Sequence, residues 1–380
     1  MSEPKLFQPI QVGDVTLAHR VVLAPLTRLR ANREHVHGKL AVEYYTQRAS
    51  IPGTLLISEA TFITGQAGGF HHVPGIWSDA QIAAWKSIVD AVHAQGSFIY
   101  LQLWALGRCA DVQALADEGY EYVAPAALGV PGKEVVPRAL TLEEINGYIA
   151  SYAKAAANAV HGAGFDGVEV HGANGYLIDQ FIQDVSNNRV DEYGGSIENR
   201  CRFALEVINA ISEVIGDEKI GLRLSPWGRT TGMRMEDPVP AFAYLATELV
   251  KQHPSMAYLH LVEPRVSGYT DREVLAGEAS TQSNDFLRDI WRPRPFISAG
   301  GYYRELALEN AEKKGDLIAF GRSYIGNLTN DPQPDLPLRL QKNIALTKGN
   351  RETYYTPESA VGYTDYPFAE SQEDAPRPLL

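Results

Sequence analysis

A single (β/α)8 TIM barrel with an N-terminal β-hairpin cap and an insertion after the third strand is the fold this sequence predicts. Three observations lead there. Eight short apolar runs recur along the chain, amphipathic stretches with helix-start signals separate them, and each run ends in polar residues or glycine. Strands alternating with helices indicate a parallel sheet, and eight is the number that closes it on itself. A doubly wound open sheet is the structural alternative.

The elements follow in order. Residues 6–20 alternate around Val12-Gly13-Asp14, which predicts a hairpin placed to plug the bottom of the barrel. Strands are predicted at 21–26, 54–57, 98–103, 167–170, 220–224, 258–262, 296–299 and 317–320. Ser78 with Gln81, and Thr141 with Glu144, fit capping boxes, and Pro238 sits where a first helical turn tolerates it. The stretch 107–139 is long and contains Pro and Gly, which predicts a lid-like insertion. Gly162-Ala163-Gly164-Phe165-Asp166-Gly167 matches the dinucleotide pattern GxGxxG, but it closes a helix and leads into a strand, the reverse of the polarity that aims a helix N-terminus at pyrophosphate. It reads as a helix C-cap and a tight loop. The tail from Tyr354 carries too many aromatics for a disordered end and is expected to fold back, so that residues 1–380 form one domain.

Composition narrows the function. The chain of 380 residues is 45% hydrophobic and 21% charged, an ordinary globular balance. With 46 acidic against 34 basic residues and a formal charge of −12, it lacks the basic face a nucleic-acid partner needs. No stretch has the length and apolarity of a membrane span, and the N-terminus lacks a signal-peptide pattern. Cys109 and Cys201 have neither CxxC nor metal-ligand spacing and read as thiols of a reducing compartment, so a cytoplasmic protein without a metal is expected. His35, His37, His71 and His72 lack a suitably spaced third ligand and read as surface or loop residues.

Chemistry on a barrel sits at the C-terminal strand ends. Those ends carry Thr27, Ser58 with Glu59 and Ala60, Gln102 with Trp104, His171 with Asn174, Arg223 with Ser225, Glu263 with Arg265, Gly300-Gly301 and Gly321-Arg322. A paired-carboxylate hydrolase would need acids at two such ends; strand four ends instead in His171 and strand seven in glycines. A Schiff-base enzyme would need a barrel lysine, and no predicted strand contains one. Gly300, Gly301, Gly321 and Arg322 suit a phosphate, with exposed backbone N–H groups and a forked cation. Gln102 offers a donor and an acceptor to a heterocycle edge, and Arg223 a fixed cation for charge building on a reduced ring. The run His171-Gly172-Ala173-Asn174-Gly175-Tyr176 is the most telling. Its imidazole and carboxamide can hold a carbonyl oxygen while its phenol protonates a neighbouring carbon. Singly, these three read as a polar rim residue, a turn former and a helix-start aromatic; together they read as a site. Glu169, of the same strand parity as His171, is expected to point inward against Arg223 or His260, and Glu263 and Arg265 to pair at the rim.

These residues carry a resemblance. Ala24-Pro25-Leu26-Thr27-Arg28, Gln102-Leu103-Trp104, His171 to Tyr176, residues 187–200, Leu222 to Pro226, residues 260–266, Ala319 to Arg322 and Gly362 to Pro367 resemble the Old Yellow Enzyme family of FMN-dependent ene-reductases over nearly the whole length. Residues 43–60 and 72–78 are similar to fungal members, including chanoclavine aldehyde reductases.

The resemblance implies bound FMN and NADPH as reductant, with NADH possible. It implies reduction of the C=C bond of an α,β-unsaturated carbonyl or nitro compound by ping-pong hydride transfer. His171 and Asn174 would hold the substrate oxygen and Tyr176 would donate the proton. It further assigns Pro25, Thr27, Ala60, Gln102 and Arg223 to the flavin ring, Gly300, Gly301, Gly321 and Arg322 to its phosphate, and Trp104 and Tyr363 to the substrate pocket. The partner is then a small enone or enal, with the protein a monomer or homodimer. Redox-neutral isomerisation of a conjugated substrate on reduced flavin is the alternative, disfavoured by the presence of Tyr176. The chain departs from the family at Ala60 and Gly172, where glycine and serine are frequent, and matches it poorly over 107–139 and 227–237, the two segments expected to shape the substrate pocket.

Overall fold

The structure is a computed structural model that describes residues 3–267, 270–271, 282–327 and 336–366. Eight parallel strands close into a barrel: β1 (Val21–Leu23), β2 (Leu55–Ile57), β3 (Phe98–Trp104), β4 (Gly167–Gly172), β5 (Ile220–Leu224), β6 (Tyr258–Val262), β7 (Phe296–Ala299) and β8 (Leu317–Phe320). Each pairs with the next in parallel register, and β8 returns to β1 to complete the ring. The predicted strands are all present. β1 stops at Leu23 rather than residue 26, because Pro25 has no N–H to continue the ladder. β4 runs on to Gly172, which pairs with Leu224, so His171 stands within the strand instead of after it.

The helices follow from local chemistry. α1 (Lys39–Arg48), α2 (Asp79–Ala94), α3 (Leu142–Ala157), α4 (Ile197–Ile215) and α5 (Val239–Gln252) follow the first five strands; α6 (Asp285–Trp291), α7 (Arg304–Lys314) and α8 (Leu336–Lys342) complete the outer ring. Both capping boxes form: Ser78 Oγ accepts from Gln81 N at 3.3 Å and Gln81 Oε1 from Ser78 N at 3.0 Å. Thr141 and Glu144 repeat the exchange. Pro238 caps α5. The false dinucleotide motif is a helix end: α3 passes through a π-turn, Asn158–Ala163, and stops at left-handed Gly164 (φ 85°). Apolar helix faces bury against the outside of the barrel, giving a core that includes Trp85, Ile88, Phe203, Ile211, Phe242 and Leu245. Among the described residues no helix is long and apolar enough to cross a membrane.

The lumen fills in layers. Ile10–Val12 and Val15–Leu17 form the predicted hairpin, and Val12 and Leu17 pack with Tyr100, Tyr258, Ile297 and Leu317 at the N-terminal end of the barrel. The two tyrosine rings fit because β4 and β5 bear glycine opposite them: a Cβ on Gly167 would lie 2.5 Å from the Tyr100 ring, and one on Gly221 would lie 2.2 Å from that of Tyr258. That apolar floor leaves the C-terminal half of the lumen for polar side chains.

Candidate active site

Register sets the polar layer. Gln102 stands beside Glu169, and His171, Arg223 and His260 stand in one row across β4, β5 and β6. Since alternate residues of a strand face the lumen, these side chains converge. Gln102 Nε2 donates to Glu169 Oε1 and His260 Nδ1 to Glu169 Oε2, both at 2.7 Å. The inward carboxylate expected at Glu169 is therefore partnered by His260. Burial raises its pKa, but His260, Arg223 and Gln102 together outweigh that and bring it below the ordinary value. Arg223 lies deep in the molecule, and its Nε is sealed without a hydrogen-bond partner among the described residues. Burial lowers its pKa and Glu169 opposes the shift. A guanidinium does not deprotonate in proteins, so the site holds a fixed cation that protein groups leave unsatisfied.

Above this layer is the turn that follows β4. Ala173 N–H donates to His171 Nδ1 at 3.3 Å. An acceptor at Nδ1 puts the ring proton on Nε2, and burial, Arg223 and His260 hold the imidazole pKa well below its usual range. His171 is thus a neutral Nε2–H donor. Asn174 takes a left-handed backbone (φ 59°), held by donation from its N–H to Ser225 Oγ at 2.7 Å. Tyr176 lies edge-on to His171 (centroids 4.9 Å apart) and to Trp104 (4.8 Å). Burial, Cys109 and Tyr355 push its phenol pKa up, with Arg223 opposing, so it carries its proton at every working pH.

The turn is pinned from below. Gly175 N–H donates to Asp179 Oδ2 at 2.8 Å, and Gly175 O accepts from Gln180 Nε2 at 2.7 Å. Burial raises the Asp179 carboxyl to about 7, against Gln183, Gly175 and Arg108. The native state therefore binds a proton between pH 4 and 7 that the unfolded chain releases, so this group's contribution to stability falls as pH rises through that window. Asp179→Asn should flatten the loss of thermal stability between pH 5 and pH 8.5, read by calorimetry; parallel wild-type and variant profiles would refute the assignment.

Gln102, His171, Asn174, Tyr176 and Arg223 open into one cavity of about 1160 Å3 at the C-terminal mouth. It is lined by His171, Asn174, Tyr176 and Trp104, by Pro25, Thr27, Ala60, Gln102 and Arg223, and by Gly300, Gly301, Gly321 and Arg322. Tyr363 is corrected. It is fully buried outside the cavity, stacked on Tyr44 at 4.1 Å beneath the guanidinium groups of Arg28 and Arg30. Those two arginines donate to the carbonyls of Tyr354, Ser359 and Val361 and tie the described part of the tail back, which brings Tyr354 and Tyr355 to the cavity instead; residues 367–380 lie outside the described residues. Pro367, the last residue of that motif, lies outside the described residues.

The two segments expected to shape the pocket do line it, through Asp111, Gln113 and Ala114 of one and Thr230 and Thr231 of the other. Arg108 joins them, donating to Thr231 O at 2.9 Å. Phe70, His71 and His72 complete the wall; nothing in their local pattern marks them. Of the eight described non-glycine residues with positive φ, four (Leu29, His72, Asn174 and Thr231) line this cavity. Backbone strain of that kind gathers where a site over-determines its geometry. Of the other two histidines singled out in the sequence, His35 pairs with Glu118 at 3.2 Å, and His37 lies 3.4 Å from Glu59 without a hydrogen bond among the described residues. Glu263 and Arg265 form the rim pair at 3.8 Å.

Comparison with known proteins gives concordant matches. The NADH:flavin oxidoreductase / NADH oxidase family matches residues 5–347. Chanoclavine-I aldehyde reductase fgaOx3 of Penicillium roqueforti (strain FM164) is 49% identical over 370 residues, covering 96% of each chain. The probable inactive reductase easA of Epichloe festucae var. lolii is 46% identical over 97% of each. Among solved structures, morphinone reductase superposes with a TM-score of 0.86 at 41% identity, over 98% of this chain and 99% of that one. Old Yellow Enzyme from Pichia sp. AKU4542 gives 0.86 at 37% identity, over 98% and 96%.

Proposed function

The chain belongs to the NADH:flavin oxidoreductase / NADH oxidase family, with Old Yellow Enzyme and morphinone reductase among its structural relatives, and on that premise we propose that it reduces the C=C bond of α,β-unsaturated aldehydes and ketones. The observation that carries the reading is the set at the end of β4: a neutral imidazole donor at His171, a carboxamide at Asn174 and a permanently protonated phenol at Tyr176, all lining one cavity.

The cavity suits FMN on its own terms. Arg223 is a half-buried cation lining the cavity, its Nε sealed and without a partner among the described residues, which calls for an electron-rich acceptor from a ligand. Thr27, Gln102, Arg223, Pro25 and Ala60 would hold the isoalloxazine, and the backbones of Gly300, Gly301 and Gly321 with Arg322 its phosphate. Gln102 is fixed for this by its bond to Glu169, which sets which way its amide faces. FMN held by these residues would supply the hydride, with NADPH or NADH as its reductant.

The side chains supply the rest. His171 Nε2–H and the Asn174 amide donate to the substrate's carbonyl oxygen, draw electron density from the double bond and stabilise the enolate-like charge as it forms. Because His171 is neutral, it stabilises that oxygen without protonating it. Tyr176 delivers its proton to the α-carbon; a carbanion-like carbon is basic enough to take it even from a phenol of raised pKa. The aldehyde class is favoured by the aldehyde reductase among the relatives. Isomerisation is the weaker reading, since Tyr176 provides the proton that traps a saturated product.

The test is spectroscopic and chemical. Purified protein should be yellow, bleach with NADPH under anaerobic conditions and recolour with 2-cyclohexenone, yielding a product two hydrogens heavier. A colourless protein that oxidises no nicotinamide sinks the proposal, and a product of unchanged mass turns it to isomerisation.

A further inference from the structure

Three histidines cluster beside the cavity, and two are paired with acids. His35 Nε2 meets Glu118 Oε1 at 3.2 Å, while His71 contacts Glu118 and Asp117, both at 3.5 Å. His72 differs. Its Nδ1 lies 2.9 Å from Ala31 O, and a carbonyl can only accept, so Nδ1 carries the proton. The other nitrogen of a neutral ring is then an acceptor. Nε2 has no hydrogen bond or ion pair among the described residues, nor is it sealed from the surroundings, and His72 lines the cavity.

The ring is fixed there at a cost. His72 takes a left-handed backbone (φ 63°), a conformation strained for an L-residue. Ala31 N–H donates to its carbonyl at 3.2 Å, so backbone and ring are both anchored to one residue. Neighbouring polar groups of the wall are partly engaged: Asp111 Oδ1 accepts from Ala114 N–H, and Gln113 Nε2 donates to Asp117. Phe70, Trp104 and Leu29 supply apolar surface on the same wall. A rigidly held acceptor beside apolar surface discriminates, because a ligand without a matching donor leaves it unpaired.

We propose that His72 is a specificity-determining residue whose Nε2 accepts a hydrogen bond from a hydroxyl or N–H group on the substrate, at the end remote from the carbonyl held by His171 and Asn174. The proposal rests on the reductase reading and names its substrate class: enals or enones that carry a distal donor.

The holoenzyme would be assayed with cinnamaldehyde, its 2-, 3- and 4-hydroxy derivatives and the corresponding methyl ethers. The best-placed hydroxy isomer should exceed both cinnamaldehyde and its own methyl ether by about tenfold in kcat/KM, the worth of one good hydrogen bond. In His72→Asn, a shorter residue that tolerates the left-handed backbone, that ratio should fall toward one. The same preference should appear in Kd values read from the absorbance of the oxidised protein. A wild-type enzyme that reduces cinnamaldehyde yet discriminates among none of the isomers overturns the proposal, as does a preference that survives His72→Asn. Should the variant fail to fold, the ether comparison in the wild type decides alone. No turnover of any aldehyde would instead strike the reductase reading.

Discussion

Tyr176→Phe should slow reduction of 2-cyclohexenone by about 10²–10⁴-fold, the range removed with a positioned general acid, while NADPH still bleaches the protein at close to the wild-type rate. The separation follows from where the phenol acts. Its proton is needed only when a carbon of the substrate becomes basic, so hydride uptake from the nicotinamide does not involve it. Phe keeps the ring, and with it the edge-on contacts to Trp104 and His171, so packing is retained. The phenol is buried and its pKa raised, and the wild-type rate should therefore show no inflection from Tyr176 up to pH 9. Stopped-flow measurement of the two half-reactions resolves the effects. An unchanged second half-reaction would mean that the proton comes from elsewhere and would remove Tyr176 from the mechanism.

Much of this arrangement was legible in the sequence, for physical reasons. Strands buried on both faces of a barrel read as apolar runs broken by at most one polar side chain, which is why Ile220–Leu224, Tyr258–Val262, Phe296–Ala299 and Leu317–Phe320 are predicted with the bounds observed. Side-chain alternation placed Glu169 inward, although which of Arg223 or His260 it would meet needed the register between β4, β5 and β6. The roof was not legible. Arg108 reaches Thr231 across more than a hundred residues, and Arg28 and Arg30 select which aromatic of the tail meets the cavity by gripping carbonyls near residue 354. Contacts to backbone carbonyls carry no side-chain signature at the accepting end, so the resemblance points to Tyr363 where folding brings Tyr354 and Tyr355. His72 was hidden likewise: its tautomer is set by Ala31 O, a partner 41 positions away.

His171→Ala should cost about 10²–10³ in the substrate half-reaction, the usual loss of one oxyanion-hole donor. The argument turns on protonation state. If His171 were an imidazolium, it would bind the carbonyl through charge, and its rate contribution would vanish as pH rose through the ordinary imidazole range. Here Ala173 N–H occupies Nδ1, while burial, Arg223 and His260 oppose a second proton. The donor is therefore the neutral Nε2–H, and wild-type turnover should be flat from pH 6 to 8.5 with respect to this group. His171→Gln, which restores an uncharged N–H on a comparable reach, should recover part of the loss, whereas a cationic His171→Lys should not. Combining His171→Ala with Asn174→Ala should cost less than the product of the single effects, because two donors aimed at one oxygen act as a unit. An inflection near pH 6.5 that disappears in His171→Gln would show the ring to act as a cation and would overturn the neutral-donor mechanism.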